Sequence, residues 1–374
     1  MSCFTRFSHK LDSLRFVLRS EITLPVITAF LLAAGLLTLS SAAPEGAFVV
    51  RQAVYMGIGL ALSGVVLWLG RQRLMAAAYP LYGFSLGLLV LTQLVGTEKN
   101  GAKSWLNLGP LPEFQPSELA KIALILALAV ALHERPIRGL LGYVRPLFII
   151  FLPFALVFLE PDLGSALVLA AIGGGMMLVR GLPWKHLVFL GLVFAVALPT
   201  VVPTMVWPHL KPHQRERLVI FLNPEADPQG SGYQVIQSRI AIGSGGLLGK
   251  GYKQGTQAQN GFIPYRYADF IFPVLAEEGG FVAAVSLLLL YGLLFWRLSG
   301  MAAECPLERD QLVIAGVLSL LGFQVLVNVG VALGLAPVTG ITLPLISFGG
   351  TSLISTMIAL SLVYLVHRDR HKDW

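Results

Sequence analysis

Apolar blocks separated by short polar runs repeat along nearly the whole chain. Blocks of roughly 17–25 residues are long enough to cross a bilayer as helices. The pattern predicts ten spans, at 22–42, 53–70, 75–95, 117–133, 145–160, 163–180, 186–206, 270–296, 312–334 and 344–366. The apolar residues are continuous rather than alternating, which argues against an outer-membrane-type barrel. The expected fold is therefore an all-α polytopic membrane protein, a bundle of ten transmembrane helices forming one domain over 1–374. The stretch "SSAAPEG" after the first span resembles a cleavage site, but nine more spans follow and the first is expected to be retained. One connection is far longer than a helix bundle needs: residues 207–269, between spans 7 and 8. Long loops of this kind are usually functional.

Composition supports the membrane reading, with 55% hydrophobic and only 13% charged residues. Soluble domains carry about 25% charged residues. The net charge of +7 is read through its placement. With both termini inside, the inner segments hold sixteen basic residues, among them Arg71, Arg73, Arg135, Arg138, Arg145, Arg180, Arg297 and Arg368. The short outer loops hold only Arg51, Lys99 and Lys103. That asymmetry places 1–21 and 367–374 in the cytoplasm and 207–269 outside. It also removes any need for a nucleic-acid partner. Cys3 and Cys305 lie far apart and are expected as free thiols. The histidines show no ligand spacing.

Twelve of the twenty acids fall on the outer half, including Glu118, Glu160, Asp162, Asp269, Glu277 and Glu278. An ion carrier would want its acids near the midplane. Acids gathered at the outer face instead favour binding or chemistry there. In the long loop, "GYQVIQSRIAIGSGG" predicts a short amphipathic helix ended by glycines. The following "GSGGLLGKGYKQGTQ" is not a nucleotide loop, because Lys250 is followed by Gly251 rather than Ser or Thr. Its glycines offer backbone N–H groups to an anion, or simply make a turn.

Five stretches together resemble the SEDS family (shape, elongation, division and sporulation). They are "KSWLNLGPLPEFQPSELAKI" (103–122), "EPDLGSA" (160–166), "NPEADPQGSGYQVIQSRIAIGSGGLLGKG" (223–251), "ADFIFPVLAEEGG" (268–280) and "PVTGITLPLISFGGTSLI" (337–354). The loop motifs resemble the elongation member more than the division member, which stays the alternative within the family. The family commonly has His-Thr before its Asp-Phe, where Tyr267 and Ala268 stand here, so positioning of Asp269 by that Thr is lost.

The resemblance implies a peptidoglycan glycosyltransferase that polymerises lipid II, a disaccharide–pentapeptide on undecaprenyl pyrophosphate, at the outer membrane face. It implies a class B penicillin-binding protein transpeptidase as partner, among other elongation-complex membrane proteins, within membrane lipid. Such a reaction joins an acceptor 4-hydroxyl to C1 of the donor sugar with inversion, and expels a pyrophosphate. Asp269 is the candidate base, or else a helix cap. Pyrophosphate leaves readily, so no second carboxylic acid is required, unlike in glycosidases. Candidate substrate contacts are Lys121, paired with Glu118 three residues earlier, and Arg51, Lys103, Arg215, Arg217 and Arg239. Arginine suits phosphate because its fork binds two oxygens. Asp162 reads as a helix N-cap or as a metal or sugar contact. Trp105 reads as a sugar platform or an interface anchor. A divalent cation, Mg or Mn, between carboxylate and pyrophosphate fits the chemistry, but no motif specifies one. The rival functions are a lipid II flippase, which needs a charged path through the full depth, and a scaffold without chemistry.

Overall fold

The computed structural model describes residues 21–43, 46–99, 102–107, 113–134, 140–182, 185 and 231–371. The first part holds α1 (Thr23–Ala42), α2 (Ala47–Ala76), α3 (Ala78–Val95), a hairpin of β1 (Thr97–Lys99) and β2 (Ala102–Trp105), α4 (Pro116–Glu134), α5 (Val144–Leu159) and α6 (Leu163–Val179). The second holds α7 (Ser231–Ser244), α8 (Thr256–Gln259), α9 (Ile271–Glu304), α10 (Glu308–Leu333) and α11 (Gly350–Arg368). Seven of these helices are long and apolar enough to cross a membrane, and α5 and α6 are apolar but shorter. The chain is thus an all-helical, multi-pass membrane protein. Nine of the ten predicted spans fall on described helices; the seventh, 186–206, lies outside the described residues, as does much of the predicted long loop.

The bundle is built around α4. From Ile122 to Leu132 its sequence is apolar on every face, and a helix of that kind belongs inside. It is buried from Pro116 to Leu132 almost without interruption and packs against α3, α5, α6, α10 and α11. By contrast α2 and α9 expose large apolar side chains such as Leu60, Trp68, Phe281 and Leu289. In a bilayer those faces meet lipid, which is as apolar as they are. Where α2 and α10 end away from Asp269, Arg71 Nη1 pairs with Asp310 at 2.7 Å, both side chains buried.

Three boundaries differ from the sequence expectation. Helix α2 runs well past 53–70, across a break at Gly70 (φ 77°, ψ 161°). The last helix begins at Gly350 rather than at 344. Pro344, and Leu345 at φ 66°, keep the preceding segment non-helical, although it is apolar. The third is α9, which is two helices merged across Gly280 (φ 67°, ψ −167°), a conformation that essentially only glycine adopts.

The break in α9 leaves backbone groups that a membrane cannot satisfy. Residues 246–251 supply the partners. Lys250 N and Gly251 N donate to the carbonyls of Glu277 and Glu278, both at 3.0 Å. On the other side of the break, Phe281 N and Val282 N donate to Gly246 O (2.8 Å) and Leu247 O (3.1 Å). The two backbones cross so closely that a Cβ on Gly280 would stand 2.3 Å from Gly249 N. The two acids are consumed in the same clasp. Glu277, fully buried, accepts from Lys250 Nζ (2.6 Å) and from the N–H groups of Gln257 (2.9 Å) and Ala258 (3.0 Å) at the start of α8. Glu278 accepts from Ser41 of α1 (2.5 Å) and Gln259 (3.1 Å).

Candidate active site

A cavity of about 850 Å³ opens where α2, β2, α4, the α5–α6 turn, the segment before α9, and the 339–352 segment converge. Its lining carries two cations, Arg51 and Lys121, and four carboxylates, Glu113, Glu118, Asp162 and Asp269. Uncharged polar groups fill the spaces between them, including Tyr55, Gln115, Gln324, Thr339 and Ser352. This is the mix a sugar–phosphate ligand needs: hydrogen-bonding partners for hydroxyls, and cations.

Lys121 Nζ donates to Glu118 Oε1 at 2.8 Å, one turn of α4 setting the spacing. The other carboxylate oxygen of Glu118 accepts from Ser355 of α11 at 2.7 Å. Both side chains are buried, yet both line the cavity. The pair therefore neutralises itself inside the bundle and also presents an ammonium to the cavity. From Ile122 inward α4 offers only apolar residues up to His133.

Asp162 does two things. Its Oδ1 accepts from Ser165 N at 3.0 Å, capping α6, while Oδ2 accepts from Gln115 Nε2 at 3.1 Å on the cavity wall. Next to it, Glu160 stands in the turn past the last residue of α5, 2% exposed. Neither of its carboxylate oxygens has a hydrogen-bond partner among the described residues. Burial, with Asp162 adding to it, pushes the Glu160 carboxyl up to about 8.

Asp269 lies one residue before the N-cap of α9, and that N-cap, Phe270, makes no side-chain cap bond. The Asp269 carboxylate reaches the opposite wall, since a Cβ on Gly340 would stand 3.8 Å from Oδ2. Gly340 has φ +74°, a backbone conformation that favours glycine.

The other expected contacts divide. Arg51 and Trp105 line the cavity. Lys103 lies on β2, beside that lining. Arg215 and Arg217 lie outside the described residues. Arg239 is exposed on α7 beside Gly334 and is not part of the lining, to which no described residue of α7 contributes. The anion role for the glycine loop is replaced by the clasp on α9, where Lys250 N and Gly251 N are already donating. Among the described residues no three His, Cys, Asp or Glu side chains gather as a metal-ligand set. Sequence reasoning passed over Gln324 and Asn328. Two amides four residues apart in the apolar run "GFQVLVNVG" were the available signal.

The comparisons with known proteins extend over nearly the whole chain. A family model for FtsW, RodA and SpoVE, described as cell cycle protein, matches residues 14–372. The chain is 36% identical to the peptidoglycan glycosyltransferase MrdB of Escherichia coli K12 over 346 residues, 92% of each protein. It is also 36% identical to the stage V sporulation protein E of Bacillus subtilis, over 93% of this chain and 97% of that one. Among solved structures, one from a peptidoglycan synthase complex, described for its coordination of polymerization and crosslinking, aligns with a TM-score of 0.81 at 50% identity, covering 94% of this chain and 98% of that one. The rod shape determining protein RodA of Thermus thermophilus aligns with a TM-score of 0.72 at 44% identity, over 94% and 97%. A charged cavity in a multi-pass helical bundle, the five motifs, and matches of this extent lead to one conclusion: the chain belongs to the FtsW/RodA/SpoVE family of cell cycle proteins, the SEDS family.

Proposed function

We propose that this protein is the peptidoglycan glycosyltransferase of cell elongation, polymerising lipid II into β-1,4-linked glycan at the outer face of the cytoplasmic membrane. The observation that carries the reading is Asp269 at the wall of a cavity that also presents Lys121 and Arg51. In this mechanism the acceptor 4-hydroxyl gives its proton to the Asp269 carboxylate and attacks C1 of the donor sugar. The bond from C1 to the pyrophosphate oxygen breaks, and the configuration at C1 inverts. Lys121 and Arg51 stabilise the charge that develops on the pyrophosphate. Its prenyl chain stays in the lipid beside the bundle, and both termini lie in the cytoplasm. A divalent cation brought by the pyrophosphate would need one or two protein carboxylates, and Asp162, on the cavity wall, would supply one of them.

The crosslinking partner is a class B penicillin-binding protein, a reading supported by the synthase complex among the structural relatives. The apolar run of α4 beyond Lys121 favours an enzyme open to one face over a flippase, which would need polar groups through the full depth. The test is Asp269→Asn, which keeps the shape but cannot take the proton. Polymerisation of labelled lipid II is expected to fall by about 10²–10⁴-fold, the range for a positioned base, with thermal stability and partner binding unchanged. A folded variant that polymerises at the wild-type rate would falsify the assignment.

A further inference from the structure

Asp269 lies outside α9, so the helix itself does not fix its backbone. The carbonyls of three consecutive residues are instead held by other segments. Phe348 N donates to Tyr267 O at 2.8 Å. Ser347 Oγ donates to Ala268 O at 2.7 Å. Asn328 Nδ2 donates to Asp269 O at 2.9 Å. The holders are themselves tied to the facing wall of the cavity. Leu343 N donates to Ser347 Oγ at 2.9 Å, and Asn328 Nδ2 also donates to Ile341 O at 2.8 Å.

Asn328 thus spends both amide hydrogens joining the backbone of Asp269 to that of Ile341. Ile341 is next to Gly340, which faces the Asp269 carboxylate, and the 339–342 stretch lines the cavity. The amide oxygen of Asn328 has no partner among the described residues, in a side chain that is 2% exposed. Leaving a buried acceptor unpaired is unfavourable. A residue chosen only to fill this space would be apolar, so the amide is retained for its two donors.

We propose that Asn328 and Ser347 are positioning residues for Asp269, setting its distance and angle to the opposite wall through backbone carbonyls. The proposal rests on the reading of Asp269 as the base. It also accounts for Tyr267 and Ala268 in place of the family's His-Thr. With the tether made to carbonyls, the side chains at those two positions are not needed for it, and the Tyr267 ring is used instead to stack on Phe48 at 4.6 Å.

The test measures kcat and KM for lipid II, per folded molecule, in Asn328→Leu, Ser347→Ala, Ser347→Thr, Asp269→Asn and the double variant Asp269→Asn/Asn328→Leu. Asn328→Leu and Ser347→Ala are expected to lower kcat about 10- to 100-fold, the scale of an ångström-sized misplacement, with KM unchanged. Ser347→Thr, which keeps the hydroxyl, recovers most of the loss. The double variant is no slower than Asp269→Asn alone, because the group being positioned is already gone. Wild-type kcat in Asn328→Leu and Ser347→Ala, with Asp269→Asn inactive, overturns the positioning role and leaves the base in place. Multiplying losses in the double variant overturn it as well. An active Asp269→Asn overturns the base assignment and the positioning role with it. Should Asn328→Leu not fold, the two Ser347 variants decide the question.

Discussion

Replacing Lys121 by methionine separates two roles that the structure superimposes. The ammonium sits 2.8 Å from Glu118 Oε1, and the two side chains are only 3% and 7% exposed. Without it, Glu118 keeps a single hydroxyl partner, Ser355 at 2.7 Å. Removing one partner of a buried ion pair typically costs about 3–5 kcal/mol, because the other charge is left uncompensated. The double change Glu118→Gln/Lys121→Met removes both charges and keeps an acceptor for Ser355. Its stability should return to within about 1 kcal/mol of wild type, because replacing a whole buried pair is often neutral. Activity should not return. If Lys121 contacts the pyrophosphate, both variants lose a charged hydrogen bond worth about 1.5–3 kcal/mol, roughly one to two orders of magnitude in rate. Thermal midpoints in detergent and gel-resolved polymer from labelled lipid II provide the two readouts. Recovery of activity together with stability in the double variant refutes the phosphate role and leaves the pair purely structural.

Glu160 gives a pH signature. Burial and Asp162 hold its folded-state pKa near 8, above the ordinary 4.5, so its stabilising contribution is full below 4.5 and is lost as pH rises toward 8. The wild-type thermal midpoint should therefore fall between pH 5 and 8 relative to Glu160→Gln, and parallel profiles for the two proteins refute the assignment. Gly280→Ala forces a Cβ to 2.3 Å from Gly249 N at a backbone angle of φ 67°. It should cost roughly 1–3 kcal/mol in backbone strain alone and more from the clash, seen as loss of folded protein on size-exclusion chromatography; a wild-type yield and midpoint contradict it. For the topology, a cysteine in place of Pro228 should label from outside in intact spheroplasts and one in place of Leu140 should not, and the reversed pattern sinks the orientation.

The sequence showed its helices plainly because membrane helices need long apolar blocks, and nine blocks landed on described helices. What it hid depended on contacts between distant segments. Gly280 reads as a glycine in an apolar run, and only the 246–251 backbone beside it explains a break there. The glycine loop read as an anion cradle or a simple turn, and what it holds is α9, with Lys250 paired to Glu277, 27 residues on. Asn328 was passed over as an amide in an apolar helix, because its acceptor on Asp269 lies 59 residues earlier in the chain. The cavity charges were easier to find. Glu118, Lys121 and Asp162 are ionisable groups in apolar surroundings, and such groups are kept for a reason.

The crossing of Gly249 and Gly280 also bears on how the protein is made. Helix α9 carries Glu277 and Glu278 in an apolar span, and a bare acid there is costly on insertion. Its broken backbone adds unsatisfied groups to that cost. Both are relieved by residues 246–259, which precede α9 in the chain. The ribosome therefore releases the relieving segment before the span that depends on it. Entry of α9 into the bilayer is coupled to the arrival of its own upstream loop, so that swapping this loop alone between family members would disturb biogenesis before it touched catalysis.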